Sequence, residues 1–389
     1  MTGCRWNRSL RKECPGRGYS GAAQFLPATP PFSIQRRGDT VSGYLAEIRA
    51  RYGTDIWCDS PNPPELTRAV GLGACGMTCN PFIVNRTVRG SAERWRAEIP
   101  SCRAEGGQPN WNMTRRVIRE ALAILEPVYR ETDGQKGVGC IQVNPHLWND
   151  TQAMIAMARE GHAVAPNAAV KIPVTKAGVA AIEELAAENV STNGTVVFTL
   201  PQLVAIGEAF KRGKARAVAA GKLTPERPLH SFATLMVGRL DDHLRDVVKE
   251  TGMDVKPEVM TWAGIAVAKK AYQVFKERGY ESRILIAAMR GHYHIEQFIG
   301  GDVIVTVPPA NEQAFGEYVG QKCPAPHFDD PVPQAMLDEL LERFVEFRRA
   351  YLEDGMQPEE FESYGASIKT LNQFIGGWDD LVKFVESEG

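Results

Sequence analysis

One lysine stands out among the residues able to do chemistry. Lys171 sits within Ala168-Ala169-Val170-Lys171-Ile172-Pro173-Val174, a run otherwise apolar enough for complete burial. Burial disfavours an unpaired ammonium, and the neutral amine that results is a nucleophile toward ketones. The same run would also suit a lysine paired with a neighbouring buried carboxylate, and the pattern alone does not separate the two readings. Other apolar runs end in polar side chains of complementary types: Asp59, Thr78, Asn80, Gln142, Asn144, Asn193, Thr195, Thr234, Arg239 and Arg290. A carboxylate such as Asp59 can move protons, or it can cap the turn before Pro61. Arg239 and Arg290 offer guanidinium forks that suit an oxyanion, or acids at a rim.

These residues need elements to gather them. Eight short apolar runs alternate with longer amphipathic segments: Asp55 to Asp59, Cys75 to Asn80, Gly137 to Val143, Ala168 to Val174, Thr195 to Leu200, Phe232 to Gly238, Arg283 to Met289 and Asp302 to Pro308. Buried strands with helical spacers predict an α/β protein, a (β/α)8 TIM barrel, whose reactive side chains collect at the C-terminal ends of the strands. In the spacers, Thr175 is placed to cap a helix with Val179, Ile182, Leu185 and Ala186 on one face, and Pro201 to open the next. The longest spacer, between strands 2 and 3, must hold more than one helix. Beyond strand 8, Leu337, Leu340, Leu341 and Phe344 mark one amphipathic helix, and Leu371, Phe374, Ile375, Trp378, Leu381 and Phe384 another. The expected organisation is a disordered extension over residues 1–40, a barrel over 41–330, and a C-terminal helical extension over 331–389 packed on the barrel.

Composition narrows the partners. With 45 Lys+Arg against 47 Asp+Glu and a net charge of -2, the 389-residue chain has no basic stripe outside its first residues, which argues against nucleic acid. No apolar run is long enough for a bilayer and no secretory core opens the sequence, so a cytoplasmic location with no membrane partner is expected. Cys58, Cys75, Cys79 and Cys140 lie in apolar runs and read as small buried hydrophobes kept reduced. No metal site is expected: Cys75 and Cys79 lack a second pair at finger spacing, and His292-Tyr293-His294 would need further ligands to converge on it. Asp241, Asp242 and His243 read as cap and surface residues early in the helix after strand 6. Gly71-Leu72-Gly73 reads as a tight turn rather than a nucleotide loop.

At this point the residues resemble the transaldolases, Schiff-base enzymes on a (β/α)8 barrel. The stretch Val170-Lys171-Ile172-Pro173-Val174-Thr175, followed by Asn193-Gly194-Thr195-Val196-Val197-Phe198, resembles the family's lysine strand and the strand after it. Met77-Thr78-Cys79-Asn80-Pro81 is similar to its Thr-Thr-Asn-Pro signature, Val237-Gly238-Arg239 to the Val-Gly-Arg of its phosphate site, and Ala287-Ala288-Met289-Arg290 to its second arginine motif. These matches run in the family's order from about Asp55 to Pro309, and Ser367-Ile368-Lys369-Thr370-Leu371 weakly resembles tails of some members. The resemblance implies that Lys171 forms the Schiff base with a ketose phosphate and that Asp59 moves protons. It implies that Asn80 and Asn193 bind the dihydroxyacetone fragment, with Thr78 and Thr234 as further substrate-binding residues, and that Thr195 holds a proton-relaying water. Arg239 and Arg290 would clamp the phosphate. Sugar phosphates are then the partners, no cofactor is required, and a homodimer is an admissible assembly.

The sequence departs from the family at several points. Gln142 stands where transaldolases place a glutamate, and an amide can orient a water but cannot take its proton. Thr234 and Ala288 stand where the family usually has serines near the anion, and Met236 replaces an aromatic residue. Glutamine at the strand 3 position also resembles the smaller fructose-6-phosphate aldolases, which release dihydroxyacetone instead of transferring it. A specialised relative acting on another anionic sugar, such as a sulfonated ketose, and a noncatalytic sugar-phosphate binder are the remaining alternatives.

Overall fold

The β-branched and small apolar residues of the eight runs form short strands whose backbone groups can be satisfied only by pairing with one another. In the computed structural model, which describes residues 44–312 and 325–387, they are β1 (Asp55–Cys58), β2 (Gly76–Met77), β3 (Val138–Gln142), β4 (Ala168–Pro173), β5 (Thr192–Val197), β6 (Ser231–Met236), β7 (Arg283–Ala287) and β8 (Ile304–Val307). All pair in parallel, and β1 closes on β8 with Asp55 opposite Ile304 and Cys58 opposite Val307, giving a closed barrel in the order β1 to β8. The expected extension over 1–40 lies outside the described residues. No helix among the described residues is long and apolar enough to cross a membrane.

The spacers fold as their caps direct. The Thr175 hydroxyl accepts from the Gly178 amide at 3.0 Å and opens the helix Lys176–Ala187. Between β2 and β3 there are four helices, the last of them the long Pro109–Glu131. Beneath the mouth of the barrel, Trp57 and Phe232 meet edge to face at 4.9 Å and fill its interior. Gly76 makes room for them, since a Cβ there would lie 2.3 Å from the Trp57 ring.

Strand β5 starts at Thr192, upstream of the expected Thr195. Asn193-Gly194 carries a turn signature in sequence, but inside a barrel mouth polar side chains can occupy inward positions of a strand. The ladder then breaks: register shifts between Gly194 and Val197, and Val196 adopts a left-handed φ of 60°. For a β-branched residue that conformation is strained by about 1–3 kcal/mol and needs outside support. Gln202 provides it. Its side-chain amide donates to the carbonyls of Val174 (3.1 Å) and Val196 (2.9 Å) and accepts from the Phe198 amide (3.0 Å), standing in for the lost strand partner.

Past β8 the expected first helix ends one residue early. Phe344 is extended and buried between the helices Gln334–Arg343 and Val345–Tyr351, and the second of these was not anticipated. The last helix, Gly365–Ser387, is 23 residues long, or about 35 Å. At its start Arg239, after β6, bonds Thr370; further along, Arg89 of the helix after β2 donates to the Asp380 carbonyl (3.1 Å), and His146, after β3, meets Asp379 (2.7 Å). It therefore crosses the C-terminal face of the barrel. Gly377 permits the approach, because a Cβ there would lie 2.5 Å from the backbone of Phe82.

Candidate active site

Parallel register places Gln142 beside Lys171 and Lys171 beside Asn193, so three polar residues from β3, β4 and β5 stand abreast in one layer. Lys171 is buried, and its Nζ donates to the Cys79 carbonyl at 2.9 Å. Among the described residues it forms no ion pair. The paired-lysine reading therefore finds no carboxylate in direct contact, although the charge of Lys171 acts on Asp59 through space.

Asp59 follows β1 and faces the same space. Its Oδ1 accepts from the Thr78 hydroxyl at 2.7 Å, and Thr78 shares a second bond of 2.8 Å with Thr306. The residue keeps some accessible surface, yet the protein around the carboxyl still desolvates it. Burial pushes its pKa up, against the opposing charge of Lys171 and the Thr78 hydrogen bond. A carboxyl whose pKa is raised in this way holds a proton more readily than an exposed one.

The two asparagines are fixed differently. Asn80 uses its Oδ1 to cap the helix Pro81–Gly90, accepting from Ile83 at 3.0 Å, which leaves its NH2 as a donor. Asn193 accepts from Thr234 at 2.6 Å and donates to the Cys140 sulfur at 3.2 Å. Thr234 thus orients Asn193 and bonds neither arginine. Buried polar atoms without a partner mark the rest of the layer: both side-chain atoms of Gln142 and the Thr195 hydroxyl. Orphaned groups of this kind are rare because each is costly, and a ligand or water is their usual partner. A small cavity connects Gln142, Asn80 and Cys79 with Trp378 and Leu381 of the last helix, which roofs the layer.

The arginines sit at the rim. Arg239 lies in the first turn of the helix Val237–Thr251, over the Phe374 ring and bonded to Gln373 and, at 3.5 Å, to Thr370. Burial disfavours its charge, and the charge of Arg290 acts in the same direction. Gly238 lets the two loops touch: a Cβ there would lie 2.3 Å from the Ala288 carbonyl and 2.7 Å from Arg290 Cγ. Arg290 itself is exposed and folded onto Asp242, with Nε 2.8 Å from Oδ2, and its NH1 donates to the Ala288 carbonyl at 2.7 Å. Here the acid at the rim is present, while Arg239 has none in direct contact among the described residues.

Two expectations about this rim are corrected. Asp241 is not a surface residue: it is fully buried, accepts from the Gly264 amide at 3.0 Å, and meets His294 Nε2 at 3.0 Å. His294, also fully buried, accepts the Arg290 backbone amide on Nδ1 at 3.0 Å, so its remaining proton is on Nε2 and points to Asp241. His243 is likewise buried and meets Glu346 at 3.2 Å, whereas Asp242 lies at the surface as expected and pairs with Arg290. The sequence reading missed the buried pair of Asp241 and His294, although it had singled out both segments, because the two residues become neighbours only when the loops after β6 and β7 meet. It also missed the roof residues Thr370 and Gln373, polar positions beside an apolar stripe. Among the described residues no three His, Cys, Asp or Glu converge as metal ligands.

Comparison with known proteins adds to this geometry. The family described as transaldolase/fructose-6-phosphate aldolase matches residues 56–360. A transaldolase of Neisseria meningitidis serogroup A is 27% identical over 83% of this chain and 99% of its own length. A transaldolase of Acidothermus cellulolyticus is 31% identical over 64% of this chain and 68% of its own. Transaldolase 1 of Streptomyces avermitilis is 31% identical over 58% of this chain, and that match spans 62% of the relative.

Proposed function

The chain belongs to the transaldolase/fructose-6-phosphate aldolase family, and from that premise we propose that it transfers a dihydroxyacetone unit from a ketose phosphate to an aldose phosphate through a Schiff base on Lys171. The observation that carries this reading is the buried Lys171 amine, free of any ion pair among the described residues and abreast of Gln142 and Asn193.

The Lys171 amine adds to the C2 carbonyl and water leaves, giving an iminium. Asp59 takes the proton of the C4 hydroxyl, through a water held by Gln142 and Thr195. The C3–C4 bond breaks, C4 leaves as an aldehyde, and its bonding electrons pass into the enamine on C3. Conjugation with the nitrogen stabilises that enamine until an acceptor aldehyde arrives. C3 attacks the new carbonyl carbon, Asp59 returns the proton to the nascent alkoxide, and hydrolysis of the iminium restores Lys171. Asn80 and Asn193 hold the hydroxyls of the three-carbon fragment, and Arg239 and Arg290 the phosphate.

Gln142 favours a second reading in the same class. An amide in place of the acid supports aldolase-like release of dihydroxyacetone, and an arginine pair that suits several anions, without the family's serines beside it, supports another anionic sugar such as a sulfonated ketose. A noncatalytic binder fits less well, since binding alone has no need of an isolated buried amine.

Borohydride reduction in the presence of ketose phosphates and sulfonates, followed by mass spectrometry, tests the proposal. The donor's mass should appear on the peptide carrying Lys171 and be absent in Lys171→Met. Label on another lysine, or activity retained by Lys171→Met, overturns it.

A further inference from the structure

Thr370 and Ser367 lie one turn apart on the same face of the helix that roofs the barrel, and both are buried, at 1% and 2% exposure. Thr370 Oγ1 already meets the Arg239 guanidinium, at 3.5 Å from NH1. Ser367 Oγ has no hydrogen-bond partner, and neither has Arg239 Nε. Two unsatisfied polar atoms, one on a cation and one a hydroxyl, thus flank the same threonine. Buried groups are usually paired, and a small apolar residue at position 367 would avoid the penalty of an orphaned hydroxyl.

The surroundings select the sign of what would pair with them. No acidic residue occupies the first turn of this helix, which presents the positive end of its dipole beside Arg239. The charge of Arg290 also reaches Arg239. Meanwhile Thr234, from the strand below, spends its hydroxyl proton on Asn193, and residue 288 is an alanine. The barrel strands therefore leave few hydroxyls for a tetrahedral oxyanion.

We infer that the last helix supplies them: Ser367 and Thr370 form, with Arg239, the site for the anionic head group of the substrate. The phosphate or sulfonate takes the place of Gln373 on the guanidinium and accepts from both hydroxyls. The substrate class is then an acyclic ketose bearing a terminal tetrahedral oxyanion. The helix is a specificity element as well as a roof. This assignment rests on the Schiff-base reading for its substrate, but the anion site itself is separable from the lysine chemistry.

The experiment uses the full chain and Ser367→Ala, Thr370→Val, the double variant, and Thr370→Ser as the variant that keeps the hydroxyl. Borohydride trapping is titrated with fructose 6-phosphate, with the matching 6-sulfonate, and with uncharged dihydroxyacetone. Each hydroxyl lost should raise the half-saturating concentration of the charged sugars about tenfold, with dihydroxyacetone unchanged within twofold and Thr370→Ser near wild type. The anion with the larger shift identifies the head group. Equal shifts for charged and uncharged sugars, or none, overturn the inference. If the wild type traps no sugar at all, the Schiff-base reading fails, and thermal melting with inorganic phosphate and with sulfate decides the anion site. Stabilisation of the wild type but not of the double variant supports the site, and equal behaviour of the two proteins refutes it.

Discussion

Asp55 and Asp59 stand at opposite ends of the same strand, and the barrel treats them in opposite ways. At the N-terminal end, Asp55 is buried between two cations: Lys136 donates to one oxygen and Arg283, at 2.7 Å, to the other, while Arg283 also reaches Asp302. Burial pushes the Asp55 pKa up, but Arg283 and Lys136 together outweigh it and hold the carboxyl below its ordinary range. At the C-terminal end Asp59 has one hydroxyl donor and only through-space charges, from Lys171, Arg86 and Arg239, and burial wins. The contrast does not extend fully to neighbours. On the closed side Arg227 donates to the His162 and Ala165 carbonyls, at 2.7 and 3.0 Å, although its Nε finds no partner. On the open side Gln142, Thr195, Ser367 and Arg239 Nε keep unspent hydrogen-bonding capacity. Unsatisfied polar atoms occur at both ends, so what separates the two is the electrostatics of the buried carboxyls: Asp55 is matched by two cations in direct contact, and Asp59 by none.

The largest expected effect breaks the open end. Asp59→Asn removes the group proposed to carry protons, and the rate should fall by about 10² to 10⁴. Stability should move the other way. Because its folded-state pKa is raised, Asp59 holds its proton more tightly in the native protein, so its ionisation is a burden that appears as pH rises through that value. The variant should melt higher than wild type at neutral pH, with the gain disappearing below the ordinary carboxylate range. A variant of normal rate would remove Asp59 from the mechanism.

Asp55→Asn is the mirror image. Its lowered folded-state pKa means that Asp55 contributes stability above the ordinary carboxylate range and loses it as pH falls through the depressed value. The variant should lose about 2–3 kcal/mol near neutrality, toward the low end for a broken buried pair because Lys136 and Arg283 are each 30% exposed. Denaturant melts should show the loss shrinking in acid, while the rate per folded molecule stays near wild type. Loss of rate without loss of stability would reverse the roles of the two ends.

His294→Gln tests how the rim holds its second arginine. The imidazole passes the constraint of buried Asp241 to the Arg290 backbone, so it positions rather than touches substrate. KM for the phosphorylated donor should rise by about tenfold with kcat changed much less, and an uncharged donor should be unaffected. A loss of kcat at constant KM would mean that the pair serves the chemistry instead.

The closed end and the strand layer were legible in sequence because burial writes itself locally: apolar runs gave the eight strands, and Lys171 was visible as the polar exception in one of them. Thr175 likewise announced its helix by standing in front of it. The rest depends on distance in sequence. Asp241 and His294 meet only when two loops close together, and the Gln202 side chain that supports the left-handed Val196 lies six residues beyond it, in the following helix. The amphipathic stripe of Leu371, Phe374 and Trp378 foretold a packed helix, but no local feature says which face of a barrel it will cover. The polar Thr370 and Gln373 beside that stripe were the available hint that it faces the arginine rim.

The smallest effect concerns Gln142, the residue on which the choice between the transfer and release readings turns. Both of its side-chain atoms are buried and unpaired, so it can orient a water but cannot change protonation state. Gln142→Glu would add a carboxyl to the layer that already contains Asp59 and the Lys171 amine. Repulsion between two acids raises the pKa of one of them, and the pair titrates as a unit, so one proton can be held at neutral pH and passed between substrate hydroxyls. With that second carrier the enamine should be captured by an acceptor more often before water or a stray proton discharges it. The ratio of transferred to free dihydroxyacetone, measured with and without an aldose phosphate, should rise about threefold, near 0.6 kcal/mol in barrier difference. Melting should show the variant less stable at high pH than at low pH, because the added carboxylate must ionise where burial disfavours it. An unchanged ratio in a stably folded variant would place strand β3 outside the proton path and leave Asp59 and Thr195 to carry it alone.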